Sequence, residues 1–192
     1  MPGGGPGSSR ATTRLWRIAP GRYDPLTGEG ARRYGGRWTS PGRAAVYLAA
    51  QLPLAALEVL AHVDPDALPL DLTAYAVDVA ASLGPPNTWA QWNAQRDRTG
   101  ALLTLPAAWR DVAQPLACRA IGDAWLAADA ADRAPLLRVP TAVLPAWAEP
   151  AGAGFDAGSW CAVFDPAHPR ARDVRITVRE PFAFDPRLLR AR

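Results

Sequence analysis

The chain has no lysine: all 21 of its basic residues are arginines. Arginine alone does not make a nucleic-acid footprint, because 18 acids are interspersed with them and the formal net charge is only +3. A sequence-independent grip on phosphates needs a basic face or stripe, so no direct nucleic-acid partner is expected. Cysteine is almost as scarce. Cys118 and Cys161 are the two present, too few and too distant to read as a disulfide framework. Neither lies in a C-x-x-C or Cys/His cluster, which excludes the usual zinc spacings. Long apolar runs are missing too, and none approaches the roughly 18 residues that could span a bilayer. The opening "MPGGGPGSSRATTR" lacks the apolar core of a signal peptide. These absences point to a cytoplasmic protein with no membrane contact.

What is there suits one domain. The 192 residues are 49% hydrophobic and 20% charged, ordinary for a globular chain with a single core. Residues 1–13, rich in Gly, Pro and Ser, cannot bury enough surface to offset ordering and read as a flexible tail. Residues 14–192 form the domain.

Within it, "RLWRIA" (14–19) reads as a strand and the Gly/Pro/Asp-dense stretch up to Trp38 as a long loop. "AAVYLA" (44–49) is a short apolar run bounded by "SPGR", hence a buried strand. Pro53 opens a helix to about Val63, stopped by Asp64-Pro65. "LDLTAYAVDV" (70–79) reads as a strand, and 84–100 as a loop with at most one helical turn. A helix is expected over 115–130, where Leu116, Ile121, Trp125 and Leu126 fall near helical spacing. Strands are expected over 135–145, 159–164 and 173–184, with a Gly/Ala/Pro-rich insertion at 146–158. Strands outnumber helices without regular alternation. The fold class is therefore α+β, with a mixed, mostly antiparallel sheet and flanking helices.

One residue resists that bland picture. The helix over 53–63 is apolar on nearly every side, yet carries Glu58 in its middle. Glu58 shares a face with Leu54, Leu57 and Ala61, at spacings of three and four. A buried carboxylate needs a partner or a wet cleft. His62, one turn on, or an arginine would supply a structural partner. Upstream, "YGGRWTSPG" lets backbone pass close to a neighbour and delivers Arg37, a planar fork suited to phosphate or carboxylate.

Taken together, "LWRIA", "GEGARRYGGRWTSPG", "AVYLA", "LAALEVLAHVD", "AIGDAWL", "LLRVPTAVLP" and "DPAHPRARDVRI…EPFAFDPRLL" lie in the order of the RES domain family, which this chain resembles over roughly residues 14–189. The family is named for an Arg, a Glu and a Ser. The resemblance implies a fold like that of ADP-ribosyltransferases and a toxin of a toxin–antitoxin pair that depletes NAD⁺ by breaking the nicotinamide–ribose bond. NAD⁺ would then be a substrate, with no cofactor. The family's Arg falls on Arg37, its Glu on Glu58 and a strand tyrosine on Tyr47; its Ser, in a "VPS" motif, falls on Thr141 of "VPT".

The resemblance makes Glu58 and Arg37 the catalytic candidates, with Glu58 steadying positive charge on the ribose. It adds Arg17, Tyr34, Tyr47 and Thr141 as substrate-binding candidates: Arg17 at a phosphate, Tyr47 stacked on nicotinamide, Thr141 as a hydrogen-bonding hydroxyl. It also implies a helix-turn-helix antitoxin that covers the pocket, and leaves open a homodimer or a hetero-oligomer with that antitoxin. Where the family runs into an Asn-Tyr-rich strand, this chain reads "SWCAVFDP". Two other readings share these residues: ADP-ribosylation of a macromolecule, and a catalytically weakened domain acting as an interaction module.

Overall fold

A computed structural model describes residues 12–63, 68–83, 87–88, 109–111, 116–144 and 159–189. The expected insertion at 146–158, the Asp64-Pro65 stop and nearly all of the 84–100 loop lie outside those residues. So does the expected tail, except that the first strand begins at Thr12, inside it.

Seven strands make one sheet: β1 (Thr12–Pro20), β2 (Val46–Ala49), β3 (Leu72–Ala80), β4 (Asn87–Thr88), β5 (Leu136–Pro140), β6 (Trp160–Phe164) and β7 (Val174–Pro181), in the spatial order β4-β5-β6-β2-β1-β3-β7. Every neighbouring pair is antiparallel except β4 with β5. Among the described residues three α-helices accompany it: α1 (Glu29–Tyr34), α2 (Leu52–His62) and α3 (Leu116–Ala127). The expected α+β class with a mostly antiparallel sheet is what the chain adopts.

The period-2 pattern of the strands divides the core in two. Ile18, Ala49, Leu137, Val139, Cys161 and Val163 face α2 and α3, where Leu54, Ala55, Ile121 and Trp125 close over them. Leu15, Leu48, Tyr75, Val77, Ala162 and Phe164 face the other way. Side chains of successive strand residues point to opposite faces, so β5 and β6, buried at every position, serve both layers.

β1 and β3 pair along nine rungs, whereas β1 and β2 share one, Trp16 opposite Ala49. The sheet therefore opens between β1 and β2. Arg17 spans that opening, its Nη1 donating to the Tyr47 carbonyl at 2.9 Å. At the far end of β6, Arg133 and Asp165 meet at 2.6 Å with both side chains buried, and the arginine lies over the Trp125 ring. His168, in the "DPAHP" turn, uses its Nε2 on the carbonyls of Ala130 and Arg133, and its Nδ1 accepts from the Arg170 N–H. That histidine is a structural staple.

Three further expectations need correction. The strand read over 135–145 ends at Pro140. The stretch read as an unbroken loop contains α1, too short for apolar periodicity and flanked by glycines. Its Glu29 pairs with Arg32 and Arg33 at 2.7 Å each, at helical spacings of three and four. Those two cations hold the Glu29 carboxyl at about 2. The helix carrying Glu58 is also less enclosed than its composition suggests: it buries Leu54 and Ala55, while Leu57 is 43% exposed. An apolar helix end need only cover one side of a sheet.

Candidate active site

Glu58 lies on the border between the buried and exposed faces of α2, its side chain 28% exposed. One carboxylate oxygen, Oε1, accepts from the Thr141 hydroxyl at 2.6 Å and faces the Cys161 thiol at 3.4 Å. The other, Oε2, lies 3.9 Å from His62 Nδ1. That ring nitrogen is closer to the Glu58 backbone carbonyl, at 2.7 Å, so His62 acts first as a partner of the helix backbone. The carboxylate is thus anchored from the sheet side and part-exposed on the other, where His62 lies beside Oε2.

Thr141 follows β5 directly and is almost fully buried. Its oxygen also accepts from the Val143 N–H at 3.2 Å, a turn that fixes the hydroxyl's direction. Cys161 enters from β6, opposite Val139. Burial first, and then the neighbouring Glu58, push the Cys161 thiol well above its ordinary range.

The loop bearing Arg37 is held separately. Gly35 ends α1 with a positive φ of 72°, a conformation that favours glycine. Gly36 lies against the Tyr47 ring with no room for a Cβ. The Tyr47 hydroxyl accepts from the Trp38 N–H at 3.0 Å and shares a 2.9 Å hydrogen bond with the Thr39 hydroxyl. Burial raises the Tyr47 phenol to about 12, against the pull of those two bonds.

From the other side α3 grips the same loop. Arg119 donates to the Gly36 carbonyl at 2.9 Å and Asp123 accepts from the Ser40 N–H at 2.9 Å. Between them, Gly122 packs directly on the Trp38 carbonyl, where a Cβ would collide.

Arg37 itself donates through Nη1 to the carbonyls of Trp109, at 2.8 Å, and Asp111, at 3.3 Å. Arg17 lies beside Tyr47, and burial lowers its guanidinium to about 10. Its Nε is buried without a hydrogen-bond partner. Tyr34, at the end of α1, is 79% exposed.

Of the candidates, then, Glu58 and Thr141 are in direct contact. Arg17 and Tyr47 are linked through a backbone carbonyl, and Arg37 sits on the loop that Tyr47 anchors. Tyr34 ends α1 and is exposed, with no contact to the other candidates among the described residues. Sequence reasoning did not single out Cys161, Gly122, Asp123 or Arg119. The "AIGDAWL" motif contains two of them, but nothing in one strand or one helix announces which loop it will meet. An open groove of about 480 Å³ lies elsewhere, lined by residues 21–22, 70–73 and 181–183, none of them a candidate.

The α+β fold, with its mostly antiparallel sheet, has a solved counterpart. This chain superimposes on a chain of the M. tuberculosis MbcT–MbcA toxin–antitoxin complex with a TM-score of 0.59, over 94% of this chain and 88% of that one. At 21% identity, that likeness concerns the fold. Residues 14–185 match the RES domain, and the chain belongs to the RES domain family.

Its curated relatives include a protein called Toxin Res from Pseudomonas putida, 33% identical over 176 residues, 91% of this chain and 98% of the relative. The Prs ADP-ribosylating toxin of a Sphingobium species is 30% identical over 183 residues, 93% of this chain and 98% of its own length. A Toxin Res from Yersinia enterocolitica is 29% identical over 180 residues, covering 91% and 98%.

Proposed function

We propose that this chain is the toxin of a toxin–antitoxin pair and consumes NAD⁺ by cleaving the bond between nicotinamide and ribose. The observation that carries this reading is the Glu58 carboxylate, clamped through Oε1 by the Thr141 hydroxyl at 2.6 Å, with its side chain 28% exposed and Oε2 3.9 Å from His62 Nδ1. As the C1′–N bond breaks, its electron pair leaves with nicotinamide and positive charge builds on the ribose, as in other oxocarbenium-like sugar chemistry. A fixed carboxylate hydrogen-bonded to a ribose hydroxyl stabilises that charge without having to reorganise. Water, phosphate or another nucleophile then takes C1′. With water the products are nicotinamide, ADP-ribose and a proton.

Arg37 has five N–H donors, of which Nη1 serves the Trp109 and Asp111 carbonyls; its planar fork would hold the pyrophosphate. Arg17, whose Nε has no partner, would reach a phosphate oxygen. Tyr47 offers a ring to nicotinamide and Tyr34 a further contact. The partner would be a helix-turn-helix antitoxin that covers the pocket through residues 28–37, where Arg32, Arg33 and Tyr34 are exposed. Both proteins and the NAD⁺ pool would meet in the cytoplasm. Among the described residues no helix is long and apolar enough to cross a membrane.

The test is Glu58→Gln. The amide fills the same space but lacks the charge needed as the bond breaks, so the variant should fold, bind NAD⁺ and lose about 10²–10³ in kcat. Its expression should no longer arrest growth. A variant that melts early, or turns over NAD⁺ like the parent, removes Glu58 from the chemistry.

A second reading rests on the Sphingobium relative, named as an ADP-ribosylating toxin. Here a macromolecule would be the acceptor at C1′. Incubating the purified chain with labelled NAD⁺ and cell extract separates the two: label retained on a macromolecule favours transfer, and free ADP-ribose favours hydrolysis. No consumption of NAD⁺ by the folded chain would leave an interaction module.

A further inference from the structure

We infer that Cys161 is a positioning residue for the reaction, holding Glu58 so that Oε2 alone faces the substrate. This rests on the reading of Glu58 given above and extends it to a side chain on a different element. Two donors converge on one oxygen: the Thr141 hydroxyl at 2.6 Å and the Cys161 thiol at 3.4 Å, both onto Glu58 Oε1. A single donor fixes the distance of a carboxylate but lets it swing about the bond. A second donor on the same oxygen, from another direction, restricts the swing and hence the direction of the free oxygen.

The two donors have a rigid common base. Val139 pairs with Cys161 and Pro140 with Trp160 across β5 and β6, and Thr141 is the next residue along. Both strands are buried at every position, so their spacing is set by the core rather than by a loop. Cys161 is 8% exposed and packs among Val139 and Val163 in the apolar layer beneath α2.

Burial and the adjacent carboxylate keep the sulfur protonated. It therefore faces Glu58 as an S–H donor and not as a competing anion. A thiol is a weak donor, but its contact is with an anionic acceptor in a water-poor position, where hydrogen bonds are strengthened. The Thr141 hydroxyl, which also touches the sulfur, spends its own proton on the same Oε1. The Glu58 carboxylate is the anionic acceptor that the thiol faces, at 3.4 Å.

The experiment compares the parent with Cys161→Ala and Cys161→Ser in NAD⁺ turnover, thermal melting and the infrared S–H stretch. Alanine removes the donor; serine restores a donor of smaller size. Cys161→Ala should lower kcat about threefold to tenfold, the value of one modest hydrogen bond, with KM within about twofold. Cys161→Ser should recover most of that loss. The S–H band that disappears in Cys161→Ala should lie at lower frequency in the parent than in Glu58→Ala, because the acceptor is then gone.

Unchanged kcat in Cys161→Ala, or equal losses in alanine and serine that follow the melting temperature, would overturn the inference. An S–H band indifferent to Glu58→Ala would do the same. If the parent consumes no NAD⁺, the proposed function fails by itself. The band then decides separately whether Cys161 holds the carboxylate.

Discussion

Thr141 uses its hydroxyl twice, donating to Glu58 Oε1 and accepting from the Val143 N–H. Serine can make both bonds, but it lacks the methyl that stiffens χ1. Valine keeps the shape and makes neither. Thr141→Ser should therefore retain most NAD⁺ turnover. Thr141→Val should lose about 1–3 kcal/mol of transition-state stabilisation, roughly fivefold to a hundredfold in kcat. Steady-state kinetics beside a melting curve measures this, and full turnover in the valine variant would make the hydroxyl dispensable. The pairing of Glu58 with His62 was the plain local alternative at this scale. It exists at 3.9 Å, longer than either contact to the sheet.

At the scale of elements, α3 explains how a loop full of glycine can hold Arg37 still. Gly122 sits against the Trp38 carbonyl while Arg119 and Asp123 bond the backbone on either side of Trp38. In an isolated helix Gly→Ala would help by about 1 kcal/mol. Here the added methyl meets backbone rather than a flexible side chain, so the helix must shift off the loop. Gly122→Ala should destabilise by about 1–3 kcal/mol, a few degrees in Tm, and should raise KM for NAD⁺ as the Arg37 loop loosens. A Tm that rises on this substitution would show that the close approach carries no cost. The missed helix α1 belongs to the same scale. It is six residues long and buries only Ala31, so its support comes from charge pairing, which apolar periodicity does not register.

Across the whole molecule, the titration of one buried phenol links the site to stability. Tyr47 ionises at about 12 in the folded chain, against 10.0 as its ordinary value. Between those two values the unfolded chain has lost the proton and the folded chain has kept it. Stability must then fall as pH rises through that window. Arg17 acts in the opposite sense: burial lets the folded chain release its proton near 10, below the usual guanidinium range, so stability gains as pH rises above 10. The two partly offset each other in the parent. Tyr47→Phe removes only the first, so its stability should fall less steeply than the parent's between about pH 10 and 12, whatever its absolute value. Urea unfolding at several alkaline pH values measures both slopes, and identical slopes would contradict the buried phenol.

The sequence by itself determined the α+β class, the strands at 14–19, 44–49 and 159–164, and the helices over 53–63 and 115–130. Those depend on local alternation, proline at a helix start and short apolar runs, which are properties of neighbours along the chain. It also marked Glu58, because a carboxylate in an apolar helix conflicts with its surroundings. The strand read over 135–145 stops at Pro140, since a turn built on the Thr141 oxygen ends the pairing. Only the tertiary structure decided that Thr141 and Cys161 meet at Glu58 Oε1, separated from it by 83 and 103 residues. It likewise decided that α3 clamps the loop of Arg37 and that α2 leaves Leu57 exposed. Contacts between distant segments follow from strand order and from which face each helix covers, and no local pattern encodes either one.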